Sequence, residues 1–170
     1  TTFHLSGSTF FSDSISAGIN YRQTTSETEF DATDFVITGL PIDADSKTDS
    51  EQSYLGANLK LTLLDGKISQ KFIASRVETD NENQTSSPVN DLTSGVRTGF
   101  RAQTDFFSSE HTFSLIAEFE EEDFTQRGAV VFGDPNRDES TDTTSFASEY
   151  RYNGDKVDFS ASSRLDNNSD

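Results

Sequence analysis

The sequence has no cysteine, no methionine and no tryptophan, and only three prolines, in 170 residues. Without cysteine there is no disulfide framework, no thiol nucleophile and no cysteine-ligated zinc or iron–sulfur site. No run approaches the ~18 consecutive apolar residues of a transmembrane helix. Basic residues are scarce, 13 Lys and Arg against 30 Asp and Glu, for a net charge of −17. Phosphate recognition needs a basic face, so nucleic-acid partners are excluded. The only histidines are His4 and His111, and two histidines among so many carboxylates give no serine–histidine–aspartate arrangement. No enzymatic activity is expected. Thr1 is not a translation start, and the sequence carries no secretory signal. It is expected to be a processed chain or an internal piece.

Hydrophobic residues are also few, 31% of the chain, yet phenylalanine alone occurs 15 times. An acidic chain of such low hydrophobicity is often unfolded. Placement decides otherwise, because the apolar residues occupy every second position. Leu55, Ala57, Leu59, Leu61 and Leu63 alternate with Gly56, Asn58, Lys60 and Thr62. Phe113, Leu115, Ala117 and Phe119 alternate with Ser114, Ile116, Glu118 and Glu120. Val157, Phe159, Ala161 and Leu165 repeat the rhythm against Asp158, Ser160 and Arg164. Strand side chains point to opposite faces in turn, so these are strands with one apolar and one polar face. Eight are expected, over 2–9, 14–24, 51–64, 68–79, 94–106, 112–125, 142–152 and 157–165. In the fourth, Phe72 and Ile73 compete for the apolar face.

The expected connections alternate in length. Short ones fall at 10–13, 65–67, 108–111 and 153–156, and long polar ones at about 25–50, 80–93 and 126–141. Short turns at one end and long loops at the other are the signature of a transmembrane barrel. Several strands exceed the ~5–6 residues of soluble sheets and suit a bilayer crossing. Phe10, Phe11, Phe106, Phe107, Tyr150 and Tyr152 gather at the short-turn ends, where an interfacial girdle belongs. On the polar face Lys60, Arg97, Arg101, Glu118, Glu120 and Arg164 suit a hydrated lumen better than a closed core. The expected fold is all-β: an antiparallel up-and-down meander of about eight strands, residues 1–170 forming four hairpins of an outer-membrane β-barrel. A soluble antiparallel sheet with one wet face would alternate in the same way.

Particular words support the membrane reading. Ala117–Gly128 (AEFEEEDFTQRG), Phe132–Asn136 (FGDPN) and Thr144–Arg151 (TSFASEYR) resemble mid-barrel stretches of TonB-dependent outer-membrane receptors, in the branch of vitamin B12 and siderophore transporters. Ser16–Tyr21 leads into an acidic loop in the same style. That resemblance implies uptake of a scarce nutrient such as a ferric siderophore or cobalamin, bound as a metal chelate by outer loops and upper lumen. It also implies a plug domain and the TonB energy-coupling protein as partners, and lipid around the wall. Such receptors resemble barrels of about 22 strands, and the sequence holds no plug, no TonB box and no terminal aromatic strand, so a segment is expected. The alternatives are a complete eight-stranded small barrel, or a soluble or surface β-sheet protein with an adhesive role.

Three groups stand out as candidate sites. Glu118, Glu120 and Glu122 share one parity and would form a negative stripe near the outer mouth, either a hydrated rim or a contact zone for a cationic or metal-chelated ligand. Phe35 and Ile37, with Phe30, Val36, Leu40 and Ile42, make the first long loop more apolar than a free loop requires; they either pack the loop onto itself or form a candidate ligand-contacting lid. The same loop carries Asp31, Asp34, Asp43, Asp45, Asp49 and Glu51. Of these Asp43, Asp45 and Asp49 are a candidate calcium site, although the glycine and distal glutamate of a calcium loop are missing.

Overall fold

The computed structural model describes residues 1–33, 39–85, 89–130 and 133–169. Among them there is no helix. Eight strands follow in sequence: β1 (Thr2–Ser12), β2 (Ile15–Thr33), β3 (Pro41–Leu63), β4 (Ile68–Gln84), β5 (Asp91–Ser108), β6 (His111–Arg127), β7 (Arg137–Asn153) and β8 (Asp158–Ser169). Each pairs antiparallel with the next, in one sheet ordered β1 to β8. The sheet is not closed, and β1 and β8 are its edges.

Local chemistry sets the short turns. Leu64, Asp65 and Gly66 all take positive φ (50°, 52° and 86°) between β3 and β4, and Ser109 does so at 49° between β5 and β6. Such turns match the right-handed twist of paired strands, and glycine adopts the conformation without steric cost. The turn then fixes the register, since a slip of one residue would move every side chain to the wrong face. In β4 the register resolves the competition. Phe72 lies opposite Leu59 and Ala102, while Ile73 lies opposite Asn58 and Arg101 on the other face.

The expected long loops at 25–50, 80–93 and 126–141 are corrected. The β2–β3 ladder runs on from Thr25↔Glu51 to Thr33↔Pro41, β4 reaches Gln84, β5 begins at Asp91, β6 ends at Arg127 and β7 begins at Arg137. Polar residues occupy most positions of these extensions, with Phe30, Leu92 and Phe124 scattered among them, so the alternation that marks a half-buried strand disappears, but backbone pairing does not depend on it. Cross-strand side chains take over. Thr48 donates to Asn83 at 2.6 Å, Ser50 donates to Asn81 at 2.7 Å, and Arg127 meets Asp138 at 2.7 Å.

Burial is inverted relative to a soluble domain. No hydrophobic residue is buried among the described residues, and Ser46, Ser114 and Ser145 are, at 4, 7 and 2% exposure. All three belong to the polar face. The apolar face carries Leu5, Ile19, Leu55, Phe100, Leu115, Phe119, Phe146 and Leu165 in the open. Its middle row runs unbroken across the sheet: Thr9, Ala17, Leu59, Phe72, Ala102, Ala117, Phe146, Leu165.

This apolar band slants. Its edge toward the long connections is marked by Phe3 in β1, Tyr21 and Leu55 in β2 and β3, Ala74, Phe100 and Phe119 in β4 to β6, and Phe146 and Leu165 in β7 and β8. Followed through the register, that edge moves by six residues over seven inter-strand steps, because Leu165 shares a row with Thr9 and not with Phe3. With ~3.4 Å per residue and ~4.8 Å between strands, a band of constant height then requires strands tilted by about 31°.

Candidate functional site

The most organised side chains lie on the polar face of β5–β8, where alternation sends Arg97, Arg101, Glu118, Glu120, Glu122, Ser145, Arg164 and Asp166 to the same side. Glu118 is the hub. It accepts from Arg101 on β5 at 3.2 Å and from Arg164 on β8 at 2.5 Å, so one carboxylate of β6 reaches across β7. Beneath that bridge, buried Ser145 accepts from Arg164 Nη2 at 2.9 Å and donates to Asp166 at 2.5 Å. Arg97 contacts Glu122 at 2.5 Å and Glu120 at 3.3 Å. On the other flank Arg101 donates to Gln103, Gln103 donates to Asp105, and Ser114 donates to Asp105 at 2.5 Å. A trough of about 420 Å³ lies over the network, bounded by Ser75, Gly99, Glu120, Thr143 and Arg164.

The structure therefore brings Glu118, Glu120 and Glu122 onto one face as expected, but neutralises them with three arginines. They form a braced, charge-balanced wall instead of a free negative stripe. The side chains are partly hydrated, and isolated exposed ion pairs contribute only ~0–1 kcal/mol, so the coupling within the network carries whatever strength it has. Glu118→Gln and Ser145→Ala are each expected to lower stability by about 1 kcal/mol, and the double variant by less than their sum. A double-mutant cycle on urea unfolding checks this. Additive losses would mean that the two residues do not act through one network.

No protein family, curated protein or solved structure was found to match the chain.

The other candidates separate. Phe35 and Ile37 lie outside the described residues, as does Asp34. Asp43, Asp45 and Asp49 all sit on β3, where six residues of strand place Asp43 and Asp49 about 20 Å apart, too far to share one ion. Among the described residues no group of three potential ligands is placed to hold a metal. Asp49 is instead paired with Lys47 at 3.1 Å, which also meets Glu27 at 2.8 Å. Hydrogen bonds from the ammonium to Glu27 and then Asp49 hold Lys47 well above the ordinary lysine range. In the β6–β7 extension, Arg127 and then Thr125 hold the Asp138 carboxyl below its ordinary range.

His111 faces the apolar side at the short-turn end, its Nδ1 2.7 Å from the Tyr150 hydroxyl and its ring 5.2 Å from that of Tyr152. Phe106 with Phe113, and Tyr150 with Phe159, continue this aromatic border. At the opposite end the strand extensions and their connections, 24–52, 78–96 and 121–142, hold 19 of the 30 acidic residues and three of the 13 basic ones. That amounts to −16 of the chain's −17. Composition shows an acidic chain; only the register shows that nearly all of the imbalance lies beyond one edge of the apolar band.

Proposed function

We propose that the chain forms part of the wall of an outer-membrane β-barrel of the TonB-dependent receptor kind, taking up a scarce nutrient such as a ferric siderophore or cobalamin. The observation that carries the membrane assignment is the slanted apolar band. A soluble sheet buries its apolar face under a second layer, whereas here that face is open and bordered by aromatics. The slope of the band falls a little below the ~35–45° strand tilt of transmembrane barrels. Lipid covers the apolar face, the arginine–glutamate wall faces the lumen, and the acidic extensions stand outside as the mouth. The receptor assignment rests on the resemblance of Ala117–Gly128 and Thr144–Arg151. On that reading the wall performs no chemistry. It supplies outer ribbons for capture and a charge-balanced surface along which cargo passes, while a plug domain coupled to TonB gates the path.

The test is fractionation of cells producing the intact protein. The expected result is recovery in the outer membrane, extraction only by detergent, and faster gel migration before boiling than after. Accumulation of an iron chelate or cobalamin should fall in cells lacking the gene and depend on the proton-motive force. Recovery as a monomer in plain buffer would overturn the membrane assignment. Membrane recovery with unchanged accumulation of both nutrients would overturn the receptor assignment alone.

A further inference from the structure

One pair of charges on the polar face is left unanswered. Lys60 of β3 and Lys71 of β4 are direct cross-strand partners, in a row that continues to Ser16 on one side and Gln103 on the other. Directly opposed side chains in an antiparallel pair start ~4.5–5.5 Å apart at Cβ, and like charges there are destabilising. Every arginine of the β5–β8 wall has a carboxylate partner, Arg97, Arg101, Arg151 and Arg164 alike. No ion pair to Lys60 or Lys71 occurs among the described residues, although the chain carries 30 carboxylates. The nearest acidic residue on that face is Asp105, one row away opposite Ser69, and its oxygens already accept from Gln103 and Ser114. Around the two exposed ammoniums the same face presents hydroxyls and amides: Ser16 beside Lys60, Gln103 beside Lys71, the opposed pair Thr62 and Ser69 in one adjacent row, and Asn58 opposite Ile73 in the other.

We propose that Lys60 and Lys71 form an oxyanion-binding site on the polar face, taking a carboxylate or phosphate group between their ammoniums with hydroxyl donors around it. An anion there converts a repulsive pair into two attractive ones, which a water molecule does not do. Lysine suits the task, since its ammonium is a compact charge on a flexible stem and two of them close on an anion from opposite sides. The inference needs only the β3–β4 register and holds whether or not the apolar face meets lipid.

The test is amine acylation of the intact, detergent-purified protein, read residue by residue by mass spectrometry. It is run in inorganic phosphate and in chloride of equal ionic strength, with Lys67 and Lys156 as internal references. A free-anion site predicts that Lys60 and Lys71 react about fivefold more slowly once phosphate exceeds its dissociation constant about fourfold, while the references barely change. Lys60→Gln should abolish the protection of Lys71. If both lysines are already slow in chloride and Lys60→Gln releases Lys71, the oxyanion is a carboxylate of the protein itself. Rates that follow Lys156 in both salts, with no effect of Lys60→Gln on Lys71, overturn the proposal.

Discussion

Arginine at Ala117 is expected to cost about 2–4 kcal/mol of folding free energy in lipid vesicles, and arginine at Thr143 less than about 0.5. Ala117 lies in the middle row of the apolar band, between Ala102 and Phe146. On the membrane reading, a guanidinium there must leave water for hydrocarbon unless it reaches the interface. Thr143 lies three residues along β7 from Phe146, on the opposite face, beside Glu120 and Asn168, where a new cation stays hydrated and gains a carboxylate neighbour. At Phe3, on the slanted edge of the band, the cost should fall to about 0–1 kcal/mol, because depth governs it. Reversible urea unfolding from vesicles measures all three. A soluble sheet packed on its apolar face would also penalise Ala117→Arg, but it would penalise Phe3→Arg similarly, since no bilayer grades the cost along the strand. The gradient from Ala117 to Phe3 is therefore the discriminating quantity.

What the sequence revealed and what it concealed divide along the same physical line. Wherever one face is apolar, parity is written into the residues. Leu55 to Leu63 and Phe113 to Phe119 could be placed on a face without coordinates, and so could Glu118 against Phe119. Where both faces are wet the signal is lost, and Thr25–Thr33 and Pro41–Ser50 read as loop although their backbones pair. The candidate site was legible as a list of residues but not as contacts. Glu118 could be assigned to the polar face from its own strand, whereas its bond to Arg164 depends on two registers, β6–β7 and β7–β8, which only the turns between those strands fix. The same applies to Lys60 and Lys71. Each is an ordinary polar-face lysine in sequence, and the β3–β4 turn makes them face each other. The aspartates misled for a related reason: Asp43, Asp45 and Asp49 look clustered in a loop but are spread along an extended strand, whose rise per residue pulls them apart.

On the receptor reading, replacing residues 27–49 by Asn-Gly, so that Ser26 leads through a tight turn to Ser50, is expected to leave the sheet folded and to reduce nutrient accumulation at least about tenfold. Ser26 and Ser50 are ladder partners, and Asn-Gly favours the two-residue turn that joins such a pair. The excised ribbon lies beyond the apolar band, so folding loses none of that band. Shortening a connection changes the closure entropy by only ~0.6 kcal/mol per halving. Function should respond much more strongly. The segment carries seven acidic residues and one basic one, together with Phe35 and Ile37. On the receptor reading, the charges among the described residues of this ribbon hold a ligand before it passes along the wall. Accumulation of the nutrient chelate by cells, set against heat-modifiable migration of the same protein, separates the two effects. Unchanged accumulation in a folded variant would mean that the long β2–β3 ribbon takes no part in capture, and would move ligand contact to the β4–β5 and β6–β7 extensions.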